Sequence, residues 1–146
     1  MLFSRDYSFH DIEEGAEYSH SYTIDETVYE ALLSIFRDQS PIHVDDTYAR
    51  AAGFVSCVMH GAIFNGFLSH FVGMYFPGRR SLILSVNLNY HIPSYLGDKV
   101  RLTARVRQKV ETARVVVLDV KFVSKLSKRV VVSGKVQVSL RDEQFC

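Results

Sequence analysis

From Ala51 to Gly78 the chain carries no Asp, Glu, Lys or Arg. Length alone would let such a run span a membrane, which takes about 20 apolar residues. The run is interrupted, however, by His60, Asn65, Ser69 and His70 and by Gly53, Gly61, Gly66 and Gly73, and it ends in "PGRR". No other segment resembles a span. The pattern therefore predicts a helix from about His60-Gly61 to Tyr75, buried on all sides by its own protein. Ile63, Phe64, Phe67, Leu68, Phe71, Val72, Met74 and Tyr75 go most of the way round it. Such a helix needs something wrapped around it.

The wrapping follows in the sequence. In "SLILSVNLNYH", Leu82, Leu84, Val86, Leu88 and Tyr90 alternate onto one face. In "DKVRLTARVRQ", Val100, Leu102, Ala104 and Val106 face one way and Lys99, Arg101, Thr103, Arg105 and Arg107 the other. Val116, Leu118, Val120 and Phe122 share a face in the next run, and Val130, Val132, Val136, Val138 and Leu140 in the last. Alternation of this kind marks half-buried antiparallel strands. The short links "KVETAR" and "KLSKR" suit hairpins in a meander.

Ahead of the uncharged run, "EYSHSYTI" alternates as a strand, with Tyr18, His20, Tyr22 and Ile24 on one face. Thr23 and Glu26 have capping-box spacing and predict a helix start. Val28, Ala31, Leu32, Ile35 and Phe36 give that helix one apolar stripe, and Pro41 stops it near Arg37–Gln39. A short helix begins at Asp45 or Asp46 and stops at Gly53. The expected class is α+β: a curved antiparallel sheet around one apolar helix, a single domain over residues 1–146.

Composition narrows the function classes. The 146 residues are 47% hydrophobic with a formal net charge of +1, so no basic surplus points to nucleic acid. The N-terminus has no uninterrupted apolar core of signal-peptide kind. Cys57 and Cys146 form no spaced pair and read as reduced, functionless thiols, which places the protein in the cytoplasm. His43, Asp45, His60 and His70 lack zinc-type spacing, so no metal is expected. A nucleophile elbow and a phosphate loop are both missing, so no nucleotide cofactor is expected.

Two places hold candidate chemistry. In "RDQSPIHVDDTYARAAGF", Asp38 and His43 flank a proline turn. Asp38 follows a helix end, where the negative dipole should make its carboxylate a better base. A carboxylate and an imidazole converging on one water can activate it and return a proton. In "VMHGAIF", Gly61 stands where the apolar helix begins, with free N–H groups able to meet a developing oxyanion. The alternatives are a structural turn at the first place and tight packing at the second.

Together these features resemble a family. "DQSPIHVDDTYARAAGF" followed by "VMHG" is similar to the hydratase-2 motif of MaoC-like dehydratases, the (R)-specific enoyl-CoA hydratases, of form D-x-N-P-[LI]-H-x-D and then H-G. "NLNYHIPSYLGDKVRLTARV" looks like the family's later strand region, and the likeness covers nearly the whole chain. The resemblance implies a hot-dog fold, an acyl-thioester substrate and no cofactor beyond the carrier, either CoA or an acyl carrier protein. It also implies a homodimer with the site near the subunit interface. It assigns Asp38 and His43 as the catalytic pair and Gly61 as the thioester's N–H donor. It places Ser69 where a helix serine orients the aspartate, and Val72 near the acyl chain. Ser40 stands where the family has Asn, and a serine fixes a turn more weakly. Other readings are a hot-dog acyl-thioester hydrolase and a non-catalytic acyl-binding module.

Overall fold

The protein is described by a computed structural model covering residues 3–141. A short turn at Phe9–Asp11 leads into β1 (Glu17–Thr23), α1 (Glu26–Phe36), α2 (Pro41–Val44), α3 (Asp46–Ala51) and α4 (Ala62–Met74). Four strands follow: β2 (Ser81–Tyr90), β3 (Lys99–Val110), β4 (Val115–Ser124) and β5 (Val130–Leu140). All pair antiparallel in one sheet, in the order β1-β3-β4-β5-β2. The two short links make the expected hairpins from β3 to β4 and from β4 to β5. β2 does not join β3 but lies at the far edge, beside β5.

The apolar helix sits on one face of this sheet. Phe64, Phe67, Leu68, Phe71 and Val72 of α4 share a core with Leu102, Ala104, Leu118, Phe122, Val136 and Val138. The Phe64 and Phe122 rings meet edge to face at 5.0 Å. This is the hot-dog arrangement, and the face alternation of β3 and β4 is as the sequence predicts.

Five expectations need correction. Burial of α4 is one-sided, because Asn65, Gly66, Ser69 and His70 form an exposed stripe opposite the sheet. The small and polar residues of the uncharged run collect there, since the sheet-facing positions take the large apolar ones. Thr23 does not cap α1. It ends β1 opposite Lys99, and Asp25 accepts the Val28 N–H at 2.9 Å instead. On β2, a bulge between Ile83 and Ser85 breaks the alternation. Ile83 pairs with buried Val138, while Leu82 pairs with Ser139 and turns outward. A second irregularity, between Phe122 and Val123, buries Val131 and leaves Val130 exposed. The α1 stripe is also only half used: Leu32 is buried, whereas Ile35 and Phe36 remain exposed.

Cys57 is a half-buried free thiol, and burial pushes its pKa up, away from the reactive thiolate. Cys146 lies outside the described residues. Among those residues no helix is long and apolar enough to cross a membrane.

Candidate active site

The end of α1 aims the first functional group. Arg37 takes a left-handed conformation (φ 55°) and turns the chain out of the helix at Asp38. The Asp38 Oδ1 then accepts from the Ser40 hydroxyl at 2.8 Å and from the Ser40 N–H at 3.2 Å, closing a local turn. Pro41 opens α2 as its first residue, where its missing N–H is harmless, and His43 follows two residues on. The proline-turn reading of the sequence was right, but it missed that the turn is itself a short helix.

His43 is fixed from two sides. The Tyr29 hydroxyl donates to its carbonyl at 2.7 Å, and its own Nδ1 lies 2.7 Å from the Val58 carbonyl. A carbonyl only accepts, so Nδ1 carries the proton and Nε2 presents a lone pair in the neutral ring. That lone pair stands 3.9 Å from Asp38 Oδ2. The two groups predicted to work together therefore face one another, both as acceptors, beyond direct hydrogen-bond length.

The electrostatics of Asp38 run opposite to the helix-dipole expectation. The Ser40 hydroxyl, then the Ser40 N–H, then the nearby imidazoles hold its carboxyl below the usual range. Donors to the ionised form outweigh the desolvation that would raise the pKa.

His60 is the residue that sequence reasoning passed over. It is 3% exposed, and its ring stacks on His43 at 3.9 Å and 27°. Its Nε2 donates to the main-chain oxygen of Asp38 at 2.8 Å and lies 4.0 Å from Asp38 Oδ2. A signal was present: a histidine inside an uncharged run must find a partner when buried. Asp38, His43 and His60 also form a group that could hold a cation. The His60 Nε2 proton is committed to a carbonyl, so only Asp38 Oδ2 and His43 Nε2 remain as converging donors. Two protein ligands fall short of the three or four of ordinary zinc sites.

Gly61 is the N-cap of α4, as expected, and among the described residues neither its N–H nor that of Ala62 has a hydrogen-bond acceptor. Glycine is required there for contact rather than for backbone conformation. A Cβ would lie 2.9 Å from the Tyr90 ring, whose hydroxyl donates to Asn65 Oδ1 at 2.7 Å. His43, Gly61 and Tyr90 line one cleft of about 400 Å³, walled by apolar Phe54, Val58, Met59, Phe64 and Ile92. A wider depression of about 560 Å³ lies across the outer sheet face, among Arg105, Arg107, Asp119, Lys121 and Lys135. None of the predicted site residues lines it, and it reads as a solvated charged surface.

The remaining two site residues stand apart. Ser69 is on the exposed stripe of α4, whereas the hydrogen bonds to the Asp38 carboxylate come from Ser40. Val72 is 1% exposed within the core, where its carbonyl accepts from Gly78 N–H, and it does not line the cleft.

The chain is 32% identical to the (R)-specific enoyl-CoA hydratase of Rhodospirillum rubrum over 98 residues, covering 67% of this chain and 68% of that one. The chain belongs to the (R)-specific enoyl-CoA hydratase, or MaoC-like, family. A hydratase of the same name from Aeromonas caviae matches at 28% identity over 76 residues, 52% of this chain and 57% of that one. Among solved structures, R-hydratase PhaJ1 from Pseudomonas aeruginosa superposes with a TM-score of 0.87 at 21% identity, covering 96% of this chain and 89% of that one. The Aeromonas caviae (R)-hydratase gives 0.82 at 23% identity, covering 89% and 98%. Both likenesses establish the hot-dog fold. No family model matches the chain. Within the MaoC-like family frame, the departure at Ser40 acquires a direct partner, because Ser40 binds the very carboxylate the motif is built around.

Proposed function

We propose that the protein is a hydro-lyase that adds water reversibly to a trans-2-enoyl thioester, giving the (R)-3-hydroxyacyl thioester. The observation that carries this reading is the acceptor pair, with His43 Nε2 and Asp38 Oδ2 facing each other at 3.9 Å. Two acceptors opposite one another call for a molecule bringing two O–H bonds, and water fits. Family membership supports the same chemistry.

The steps follow from the donors and acceptors. The thioester carbonyl accepts from the Gly61 N–H at the start of α4. Water donates one hydrogen to Asp38 and the other to His43. The pair removes a proton as the water oxygen bonds to C3 of the enoyl chain. The C2–C3 π electrons move toward the carbonyl, and charge collects on the thioester oxygen as an enolate. The Gly61 N–H and the positive helix end stabilise that charge. The same pair returns the proton to C2 on the face that received the oxygen, giving syn addition. Every atom of water ends in the product, so the reaction calls for no redox cofactor, and in this reading Asp38 and His43 activate the water without a metal. The carrier is CoA or an acyl carrier protein, and the setting is cytoplasmic acyl-thioester metabolism.

A saturated acyl-CoA separates this reading from a thioesterase. The hydratase reading predicts no thiol release from it, and rapid release would transfer the site to hydrolysis.

The pH dependence is set by Ser40. Its donors stabilise the ionised Asp38, which lowers that pKa and keeps the carboxylate able to accept a water proton into mildly acidic solution. Ser40→Ala removes the stronger donor, so the Asp38 pKa rises and the acid limb of kcat/KM moves to higher pH. An acid limb that stays in place would contradict this assignment.

The working form is a homodimer in this proposal. β2 is an edge strand whose Leu84 and Val86 remain 53% and 38% exposed. A long apolar edge is a template for pairing with another strand. Leu84→Lys with Val86→Lys should convert the protein to a monomer in light scattering, and a dimer that survives both changes would place the interface elsewhere.

A further inference from the structure

One buried group has no part in the reaction as written. His60 is 3% exposed, and among the described residues its Nδ1 has no hydrogen-bond partner. An unpaired polar atom in the interior is destabilising, and an apolar ring of similar shape would fill the same space without that penalty. What an imidazole supplies here, and a phenyl ring does not, is the Nε2–H. That hydrogen goes to the main-chain oxygen of Asp38 at 2.8 Å. The same ring stacks on His43 at 3.9 Å. His60 is also the residue before Gly61, so one side chain links the acid, the imidazole and the N–H donors.

The groups it touches need such a link. The Asp38 side chain is 48% exposed on a turn between helices, and His43 sits on a helix of only four residues. A helix that short has no stability of its own. Resting on the hydratase reading, we propose that His60 is a positioning residue. Its Nε2–H anchors the Asp38 turn and its ring backs His43, so that the two acceptors stay at the separation one water bridges. Loss of that anchor lowers kcat without weakening substrate binding, because the cleft walls and Gly61 are untouched.

The test compares His60→Gln with His60→Phe. Gln carries an amide N–H to about the place of Nε2, whereas Phe keeps the stacked ring and drops the donor. The Phe variant should lose about 30–100-fold in kcat, the scale of a misplacement near 1 Å, with KM for the enoyl thioester moving less than about threefold. Gln should recover most of that loss. If the Phe variant does not fold, His60→Asn, whose donor is too short to reach, replaces it with the same expectation. Hydrogen–deuterium exchange over residues 38–43 gives a readout that needs no turnover. The Ser40 and His43 amides should exchange faster in the Phe variant and not in Gln, with the sheet unchanged. A parent that hydrates no enoyl thioester would defeat the hydratase reading, while exchange would still decide whether His60 holds the turn. Full kcat in the Phe variant, an equal loss in Gln and Phe, or unchanged exchange at residues 38–43 would overturn the proposal.

Discussion

Replacing His43 with Gln lowers kcat for enoyl-thioester hydration by about 10²–10⁴-fold, and Asp38→Asn does the same. The reason is specific to each atom. Gln offers an amide that cannot take a proton where His43 Nε2 has a lone pair. Asn at position 38 still presents an Oδ1 to the Ser40 hydroxyl and N–H, so the turn is kept while the proton acceptor is lost. The fold should therefore survive both changes. His43→Gln gives up the Nδ1–H bond to the Val58 carbonyl, a loss of about 1 kcal/mol, far too small to unfold the domain. Steady-state kinetics with a parallel thermal melt checks both halves of the prediction. In the proposed reaction the two residues act on one water, so the double variant should be little worse than either single change. A double variant slowed by the product of the two single effects would mean that the residues act on separate steps.

Phe71→Ala destabilises the protein by about 3–5 kcal/mol, the usual range for truncating a buried phenyl ring. Phe71 is 0% exposed and lies in the shared core between α4 and the sheet. The ring sits in the last turn of α4, fully buried in the core cluster, so truncation leaves a cavity there. A melt should show a drop in Tm of about 10–15 °C for a chain of this size. The same change at Ile35, which is 69% exposed at the end of α1, should move Tm by little. Equal effects at the two positions would contradict the placement of α4 as the core helix.

The parts of the fold legible in the sequence were those written in repeated local signals. Alternation in β3 and β4 and the large apolar residues of α4 each recur over many positions, so single exceptions do not hide them. The bulge at Leu84 was not legible, because an extra residue reverses the alternation after it and leaves a run of apolar residues that still reads as one strand. The cap at Asp25 was obscured by Thr23, which has equal chemical claim until the pairing with Lys99 commits it to β1. One-sided burial of α4 was missed because the absence of charge was taken for the absence of a polar face. Asn65, Ser69 and His70 make such a face without any charge.

The site divides in the same way. Asp38, His43 and Gly61 stand out in the sequence because the turn and the helix start are local. The Nε2–H bond of His60 to Asp38 joins residues 22 positions apart, and no spacing rule reports it. The Ser40 substitution looked like a weaker turn residue, whereas it donates to the Asp38 carboxylate and lowers its pKa. The first belongs to how the loop folds back on α4; the second is a local contact, but the sequence does not say which group the Ser40 hydroxyl will bind.

The central claim is that Asp38 and His43 direct one water to a conjugated thioester. The most direct measurement follows the absorbance of the enoyl thioester on adding purified protein, with short and medium trans-2-enoyl-CoA and with enoyl-acyl carrier protein. The account predicts loss of the conjugated absorbance in at least one of these and the appearance of the (R)-3-hydroxyacyl product. Absorbance that stays constant with every chain length on both carriers would contradict it.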